Sequence, residues 1–393
     1  MKVVIVGAGY GGLRAVEKLV KRKNVEITLI DKNPYHYLQT EAYGYIAGNF
    51  DICDITVDIK SWCEGFSRDI HFIQDECIGI DTSNKTIQTK GQTILYDELI
   101  IATGAKTNFP AFIEGLKEFS HGVKVLSRAY QFKTQFEEII YKKVKNSDHK
   151  EFNIIIGGAG LSGVEIAAEM AYISQKFINS IGIKKGNIHI YLIEAYDSIL
   201  NGMDSYIVKN TLIRLDDLGV KVMTNSFIDS VSQNTVHLKT GENLEFDFMI
   251  FTGGIRAIGI NDIFDVKKNR LNQFIVDSYL RVEGFEDIYA IGDCAEIRNL
   301  KGDMLPPTSQ IAEQCASVAA KNILRKLDNQ PLIKYDGKMD GMFVALGGEY
   351  AVGTMFDAIK LKGYMAYLLK KIITKSYHYG LKLRLNNSFR TRR

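Results

Sequence analysis

Short apolar runs alternate with longer stretches of helical spacing along this chain. Lys2–Val6, Glu26–Ile30, Glu98–Ala102, Phe152–Ile156 and Ile188–Ile193 are mostly apolar, with polar residues chiefly at their first positions. Such runs predict strands buried on both faces, as in a parallel sheet. Between them, Leu13–Lys21, Ser127–Lys145, Gly163 to Phe177 or beyond, and Ser309–Arg325 carry apolar residues at helical intervals. Strand–helix–strand order occurs twice, from Lys2 and again from Phe152, and predicts an α/β fold with parallel sheets. Ile70–Asp81, Thr86–Gln88 and Thr93–Leu95 read as a meander of short strands. Asn33–Phe50 reads as a long loop with helical pieces, and Phe109–His121 as a turn-rich crossover. Asp204–Leu218, Val220–Thr224, Ser226–Gln233, Val236–Lys239 and Phe246–Phe251 complete a second unit built like the first. Ile288–Ala290 predicts a late strand, Gly337–Gly353 alternates as strands do (Met342, Val344, Leu346), and a last helix is predicted over Lys362–Ser376.

Where each βαβ unit turns from its first strand into its helix, the chain becomes glycine-rich. The first turn is Gly7-Ala8-Gly9-Tyr10-Gly11-Gly12, and the second is Gly158-Ala159-Gly160-Leu161-Ser162-Gly163. Small residues there let backbone N–H groups and a helix N-terminus approach a pyrophosphate. An acid closing the second strand can accept hydrogen bonds from ribose hydroxyls. Asp31 stands 19 residues beyond Gly12, and Glu194 stands 31 beyond Gly163. A longer helix and the loop Gly182–Asn187 absorb the excess in the second unit. Each loop sits in the right context, so two dinucleotides are expected to meet in one protein. Glu194 would repel a 2′-phosphate, which argues for NADH over NADPH. Thr103-Gly104, at the end of an apolar strand, and Gly292-Asp293, after a late one, sharpen the first site. The strand end can pass close to an adenine dinucleotide, and Asp293 can bind a ribityl hydroxyl that nicotinamide nucleotides lack. The first site is therefore read as FAD. Gly253 and Gly254 would let the chain run close to the nicotinamide.

Composition adds limits. The chain has 393 residues, 46% hydrophobic and 24% charged, with a net charge of +3. That is room for two or three domains, and too little positive charge to imply nucleic acid. Charge is uneven: from Ala358 to Arg393 there are ten Lys or Arg and no Asp or Glu. On a helix, Met365, Leu368, Leu369, Ile372 and Ile373 share one face, with Lys370, Lys371 and Lys375 on the other. Such a helix can lie in a bilayer interface with its cations toward anionic headgroups. Packing on the body or in a homodimer interface is the competing use. No run of about 18 apolar residues exists to span a bilayer. The N-terminus shows no signal peptide, so the expected location is the cytoplasmic face of the cell membrane. Five cysteines (Cys53, Cys63, Cys77, Cys294, Cys315) form no CxxC pair, and seven histidines show no metal spacing.

The order of these motifs resembles the two-dinucleotide-binding-domain flavoproteins. Within them the chain looks like a type II NADH:quinone oxidoreductase, the single-subunit respiratory enzyme. The resemblance is carried by Ile155 to Glu165, by Ile291-Gly292-Asp293-Cys294, and by Leu305 to Gln314. The last is similar to the family's AQxAxQ motif beside flavin and quinone, with Ser309 in place of the usual alanine. The resemblance implies FAD contacts at Gly7 to Gly12, Asp31, Lys32, Asp293, Ser309 and Gln310. It implies a backbone contact to adenine at Cys77, a quinone pocket near Gln310 and Gln314, and a carboxylate near the nicotinamide and flavin at Glu165. Gly158, Gly160, Gly163, Glu194 and Gly254 are the NADH counterparts. It also implies a C-terminal region that anchors the enzyme and shapes the quinone entrance. Tyrosines stand there in place of the family's frequent tryptophans. Disulfide reductases need a redox cysteine soon after the first acid, and residues 32–52 have none. Residues 78–293 lack cysteine too, and none follows Cys315, which disfavours thioredoxin-reductase and sulfide:quinone oxidoreductase chemistry.

The expected architecture is two Rossmann-like domains plus a C-terminal amphipathic membrane-anchoring region. FAD binds residues 1–112 and 262–345, NADH binds residues 113–261, and 346–393 associates with the membrane. The expected reaction passes a hydride from NADH to FAD and two electrons onward to a membrane quinone, without proton pumping. The alternative is a soluble NADH-dependent reductase of a small carrier such as rubredoxin or ferredoxin. A non-enzymatic rival is a flavin-containing scaffold or sensor with a basic tail.

Overall fold

The computed structural model describes residues 1–145, 151–181, 188–258, 260, 264–356 and 358–385. The loop Gly182–Asn187, the domain boundary near residue 262 and the basic chain end 386–393 lie outside the described residues.

Five parallel strands make the first sheet, in the order Ile288–Ala290, Glu98–Ile101, Lys2–Val6, Glu26–Asp31 and Ile70–Gln74. The late strand Ile288–Ala290 thus joins strands from the first hundred residues. A second parallel sheet has the order Val220–Met223, Ile188–Ile193, Phe152–Gly157 and Phe248–Phe251. Their central strands are buried on both faces: Val3, Ile5, Ile154 and Ile156 are fully shielded. This is why the sequence shows continuous apolar runs there rather than alternation.

Each parallel sheet has a three-stranded antiparallel companion. The first is Cys77–Asp81, Thr86–Thr89 and Thr93–Leu95; the second is Ile228–Val231, Thr235–Leu238 and Asn243–Glu245. The single strand predicted over Ile70–Asp81 is in fact two strands in different sheets. Asp75 and Glu76 break it, with Asp75 accepting hydrogen bonds from the N–H groups of Glu76 (2.7 Å) and Gly91 (2.8 Å). Likewise, Phe246–Phe251 contributes only Phe248–Phe251 to the parallel sheet.

The first loop opens into helix Tyr10–Leu19, which packs along helix Ser309–Leu327. Gly11 lets the two backbones come close, since a Cβ there would stand 3.5 Å from the Ala312 carbonyl oxygen, while Leu13, Val16 and Leu19 are buried. Each such side chain stabilises the fold by about 1.5–3 kcal/mol. Arg14 is ion-paired to Glu313 across the contact. The second loop opens into helix Leu161–Ile181.

A third sheet, antiparallel, comprises Gly341–Ala345, Ala351–Met355 and Ile359–Gly363. Lys362 belongs to its last strand rather than to the final helix. Gly363, at φ +73°, turns the chain, and the helix runs from Tyr364 to Leu385. No helix among the described residues is long and apolar enough to cross a membrane.

Candidate active site

The two glycine loops are built alike. Gly7 has φ +108°, and a Cβ there would stand 2.3 Å from the Ala102 carbonyl oxygen. Gly158 has φ +97°, and a Cβ there would stand 2.6 Å from Gly253. The last glycines are equally constrained: a Cβ on Gly12 would lie 1.8 Å from Gly7 O, and one on Gly163 would lie 1.9 Å from Gly158 O. The middle glycines differ, since Gly9 and Gly160 have no atom within 4 Å of a Cβ position. Outer glycines are therefore required by the fold. The middle ones leave open space where a pyrophosphate can approach backbone N–H groups.

The acids also match. Asp31 accepts from the Ala8 N–H at 2.8 Å, and Glu194 accepts from the Ala159 N–H at 2.7 Å. Each fixes its loop with one oxygen, while the other takes a local N–H, from Asn33 at 2.8 Å and from Tyr196 at 3.1 Å. Burial raises the Asp31 carboxyl above its ordinary range, against the hydrogen bonds from Ala8 and Asn33 that lower it. Lone pairs remain on both acids for a ribose.

A cavity of about 1550 Å³ extends from the first loop to the final helix. Gly7, Ala8, Gly9, Tyr10, Gly11, Asp31, Lys32 and Cys77 line one end, and Thr103, Gly104 and Asp293 the middle. Ser309, Gln310, Gln314 and Glu165 line it as well, with Leu161 and Ser162 of the second loop. Gly12 lies behind the first loop rather than on this wall. Gly158, Gly160, Gly163, Glu194 and Gly254 lie at the end of the second sheet, outside the cavity. A single ligand pocket commonly measures about 300–1,000 Å³, so there is room here for more than one ligand.

Several lining side chains are held in place. Asp293 is paired with Lys124 at 3.0 Å. Gln310 donates to Asp340 at 2.9 Å, and Gln314 donates to the Lys338 carbonyl at 3.0 Å. Ser309 begins a 19-residue helix whose N-cap, Thr308, accepts from the Ile311 N–H at 3.3 Å. His36 is buried behind the first loop. Its Nδ1–H donates to Ala8 O at 3.0 Å, and its Nε2 accepts from the Tyr377 hydroxyl at 3.2 Å.

The final helix corrects the sequence reading. Lys370 and Lys371 do not face outward. Lys370 donates to Glu165 at 2.6 Å and to the Phe343 carbonyl at 3.1 Å, while Lys371 donates to Glu41 at 2.9 Å. The apolar arc faces out, as a helix at an interface requires, with Met365 63%, Ile372 53% and Ile373 51% exposed. Amphipathic spacing names two faces but not which is inside. Here buried carboxylates on the body attract the lysines inward. Lys124, Lys370, Lys371 and Glu169 were missed as site residues. An i,i+4 pair of acids at Glu165 and Glu169 was the available signal.

The cysteines are free. Burial pushes the Cys63 and Cys315 thiols up to about 12 and Cys77 up to about 11. A redox cysteine needs the opposite shift, since the thiolate is the reactive form. Burial thus sets these three thiols against that chemistry.

The sequence model of the pyridine nucleotide-disulphide oxidoreductases matches residues 1–316. The chain belongs to that family. It is similar to curated type II NADH:quinone oxidoreductases. That of Staphylococcus saprophyticus is 28% identical over 383 residues, which is 95% of this chain and 94% of that protein. That of Haemophilus influenzae is 29% identical, over 90% of this chain and 86% of that protein. The fold is shared with NDH2 from Plasmodium falciparum in complex with NADH: TM-score 0.85, 20% identity, 98% of this chain and 96% of that one. It is also shared with the sulfide:quinone oxidoreductase of Aquifex aeolicus, at TM-score 0.82 and 21% identity, over 98% and 92%.

Proposed function

We propose that this chain is a peripheral membrane flavoenzyme that oxidises NADH and reduces a quinone, without pumping protons. The carrying observation is that one cavity joins the first glycine loop, the start of the second loop helix and the Glu165–Lys370 pair. Residues of two nucleotide sites and a buried charge pair thus share one space. The near-full-length similarity to type II NADH:quinone oxidoreductases supports the same reading.

FAD would occupy the unit formed by 1–112 and 262–345, and NADH the unit 113–261. The first cradle fits FAD: Gly9 is open, Asp31 can take ribose hydroxyls, Asp293 can take a ribityl hydroxyl, and Lys124 beside it offers a cation. Ser309, at a helix N-terminus, adds a favourable dipole. The second cradle fits NADH through Gly160 and Glu194, with Gly254 passing near the nicotinamide. When bound, FAD supplies hydride acceptance and two-electron transfer, chemistry no side chain provides.

The chain's own residues position the reactants. Gln310 and Gln314, clamped by Asp340 and Lys338, offer polar edges at the quinone end. Phe343 and Ile373 supply apolar wall there. Glu165 and Lys370 hold a charge pair where protons must be delivered to a quinone. Region 346–393 would meet the cytoplasmic face of the membrane with Met365, Leu368 and Ile372, so that a lipid-soluble quinone enters beside Ile373.

The test is to purify the yellow protein and follow NADH oxidation with a short-chain quinone, with and without liposomes. Steady quinone reduction is expected. Reduction of ferredoxin or rubredoxin but of no quinone would sink the proposal. Glu165→Gln is expected to slow quinone turnover at least tenfold while FAD stays bound; an unchanged rate refutes its role.

A further inference from the structure

Behind the Glu165–Lys370 pair lies a second layer of buried charge. Glu41, Glu165 and Glu169 are 6%, 8% and 2% exposed. The ammoniums among them are Lys370 and Lys371. Lys370 is engaged by Glu165 at 2.6 Å and Lys371 by Glu41 at 2.9 Å. That leaves Glu169 without a cation of its own among the described residues. Its Oε1 accepts from Asn49 Nδ2 at 3.1 Å, and the Gly348 N–H also donates to it. Three carboxyls and two ammoniums, all withdrawn from water, carry a surplus negative charge unless one carboxyl is protonated.

The surroundings mark Glu169 as that carboxyl. Glu165 approaches it from its own helix, one turn earlier. From the final helix come Lys371 and Tyr367, and from residues 41–49 come Glu41, Tyr43 and Asn49. From the turn after Gly341–Ala345 comes the Gly348 backbone, which lies against the Tyr172 ring, and Glu349 of that turn acts on Tyr367 together with Glu169. Burial dominates and raises the Glu169 carboxyl to about 7; Lys371, Gly348 and Asn49 pull it down, and Glu165 pushes it up.

Tyr43 lines the cavity with Glu165 and Lys370. Its ring centre lies 5.4 Å from the Lys370 ammonium and 5.9 Å from that of Lys371. The Tyr43 hydroxyl and Glu41 Oε1 are buried without a hydrogen-bond partner among the described residues. Buried polar atoms in that state are where ordered waters sit.

We infer that Glu169 is the proton store for quinone reduction, acting through Lys370 and Glu165 rather than touching the substrate. This rests on the quinone-reductase reading above. NADH yields a hydride, which is two electrons and one proton. A quinone needs two electrons and two protons, so one further proton is drawn from solvent in each turnover. The O–H bond of Glu169 breaks, and its proton passes by water and the Lys370–Glu165 pair to a quinone oxygen, forming the quinol O–H. The carboxylate left on Glu169 is then reprotonated from bulk water.

The experiment compares wild type, Glu169→Gln and Asn49→Ala as FAD-loaded enzymes. Rates are measured from pH 6 to pH 9 with a short-chain quinone and with ferricyanide, which takes electrons but no proton. Wild-type quinone kcat is expected to fall as pH rises through neutrality, because the stored proton is lost. In Glu169→Gln the ratio of quinone to ferricyanide rate should drop about tenfold at low pH, and the fall with pH should vanish. Asn49→Ala removes a donor that favours the carboxylate, so its falling limb should move to higher pH. It serves the same purpose should Glu169→Gln fail to fold. Infrared difference spectra should show a protonated-carboxyl band in wild type that is missing from Glu169→Gln. If the band is absent from wild type, or both variants keep the wild-type pH profile, the inference is overturned. A wild type that shows the band yet reduces ferricyanide and no quinone overturns the quinone-reductase reading, and the delivery route with it.

Discussion

At the residue scale, glycines that look alike in sequence do different work. Gly7 is fixed by its fold, with a left-handed φ and a carbonyl where a side chain would stand. Gly160 has open space around it, so only a ligand can object to a methyl group there. Gly7→Ala is expected to destabilise the protein by about 1–3 kcal/mol and to lose flavin. Gly160→Ala should leave the thermal midpoint within about 2 °C of wild type and raise the KM for NADH roughly tenfold. Thermal scans, flavin absorbance and NADH titrations check both. A Gly160→Ala protein with unchanged KM would show that the second loop does not carry NADH.

His36 makes a pH prediction. Burial lowers its pKa from 6.5 to about 4. A histidine neutral in the fold and protonated when unfolded favours the unfolded chain as pH falls from 6.5 toward 4. The loss reaches about 3 kcal/mol at the acid end and is absent above pH 7. Thermal midpoints should therefore drop across that window, and His36→Gln should flatten part of the drop. An identical acid sensitivity in the variant counts against a buried neutral His36.

At the element scale, the final helix is a tether as well as a surface. Its Lys370, Lys371 and Tyr377 are bonded into the body, so deleting residues 362–393 would strip the cavity wall along with the exposed apolar arc. The arc is better tested alone. Met365→Glu with Ile372→Glu changes two exposed side chains and leaves the inward lysines intact. Vesicle co-sedimentation is expected to fall at least tenfold, since each apolar group withdrawn from the interface is worth about 1.5–3 kcal/mol. Turnover with a water-soluble quinone should persist. Undiminished vesicle binding would point to another attachment face.

At the scale of the whole molecule, the cavity separates elements that the fold must hold together without a ligand. FAD bridging the first sheet, the helix at Ser309 and the Lys124 region should stabilise the native state by mass action. At a free FAD concentration of a hundred times Kd, the gain is about 2.7 kcal/mol. Flavin-stripped protein should melt several degrees lower and recover on adding FAD. Adding FMN, which lacks the adenosine half, should restore less.

The sequence by itself determined the two parallel sheets, the paired glycine loops and their acids, because buried strands and phosphate turns leave local signatures: continuous apolar runs, glycine spacing and a carboxylate at a strand end. It also carried the absence of redox cysteine spacing. Only the tertiary structure decided where Ile70–Asp81 breaks, which face of the final helix turns inward, and that Glu41, Glu165 and Glu169 share two lysines. The last two outcomes depend on charges brought together from residues 41, 165 and 370, far apart in the chain. Periodicity marks a polar face; the burial of a distant partner decides whether that face meets water or a carboxylate.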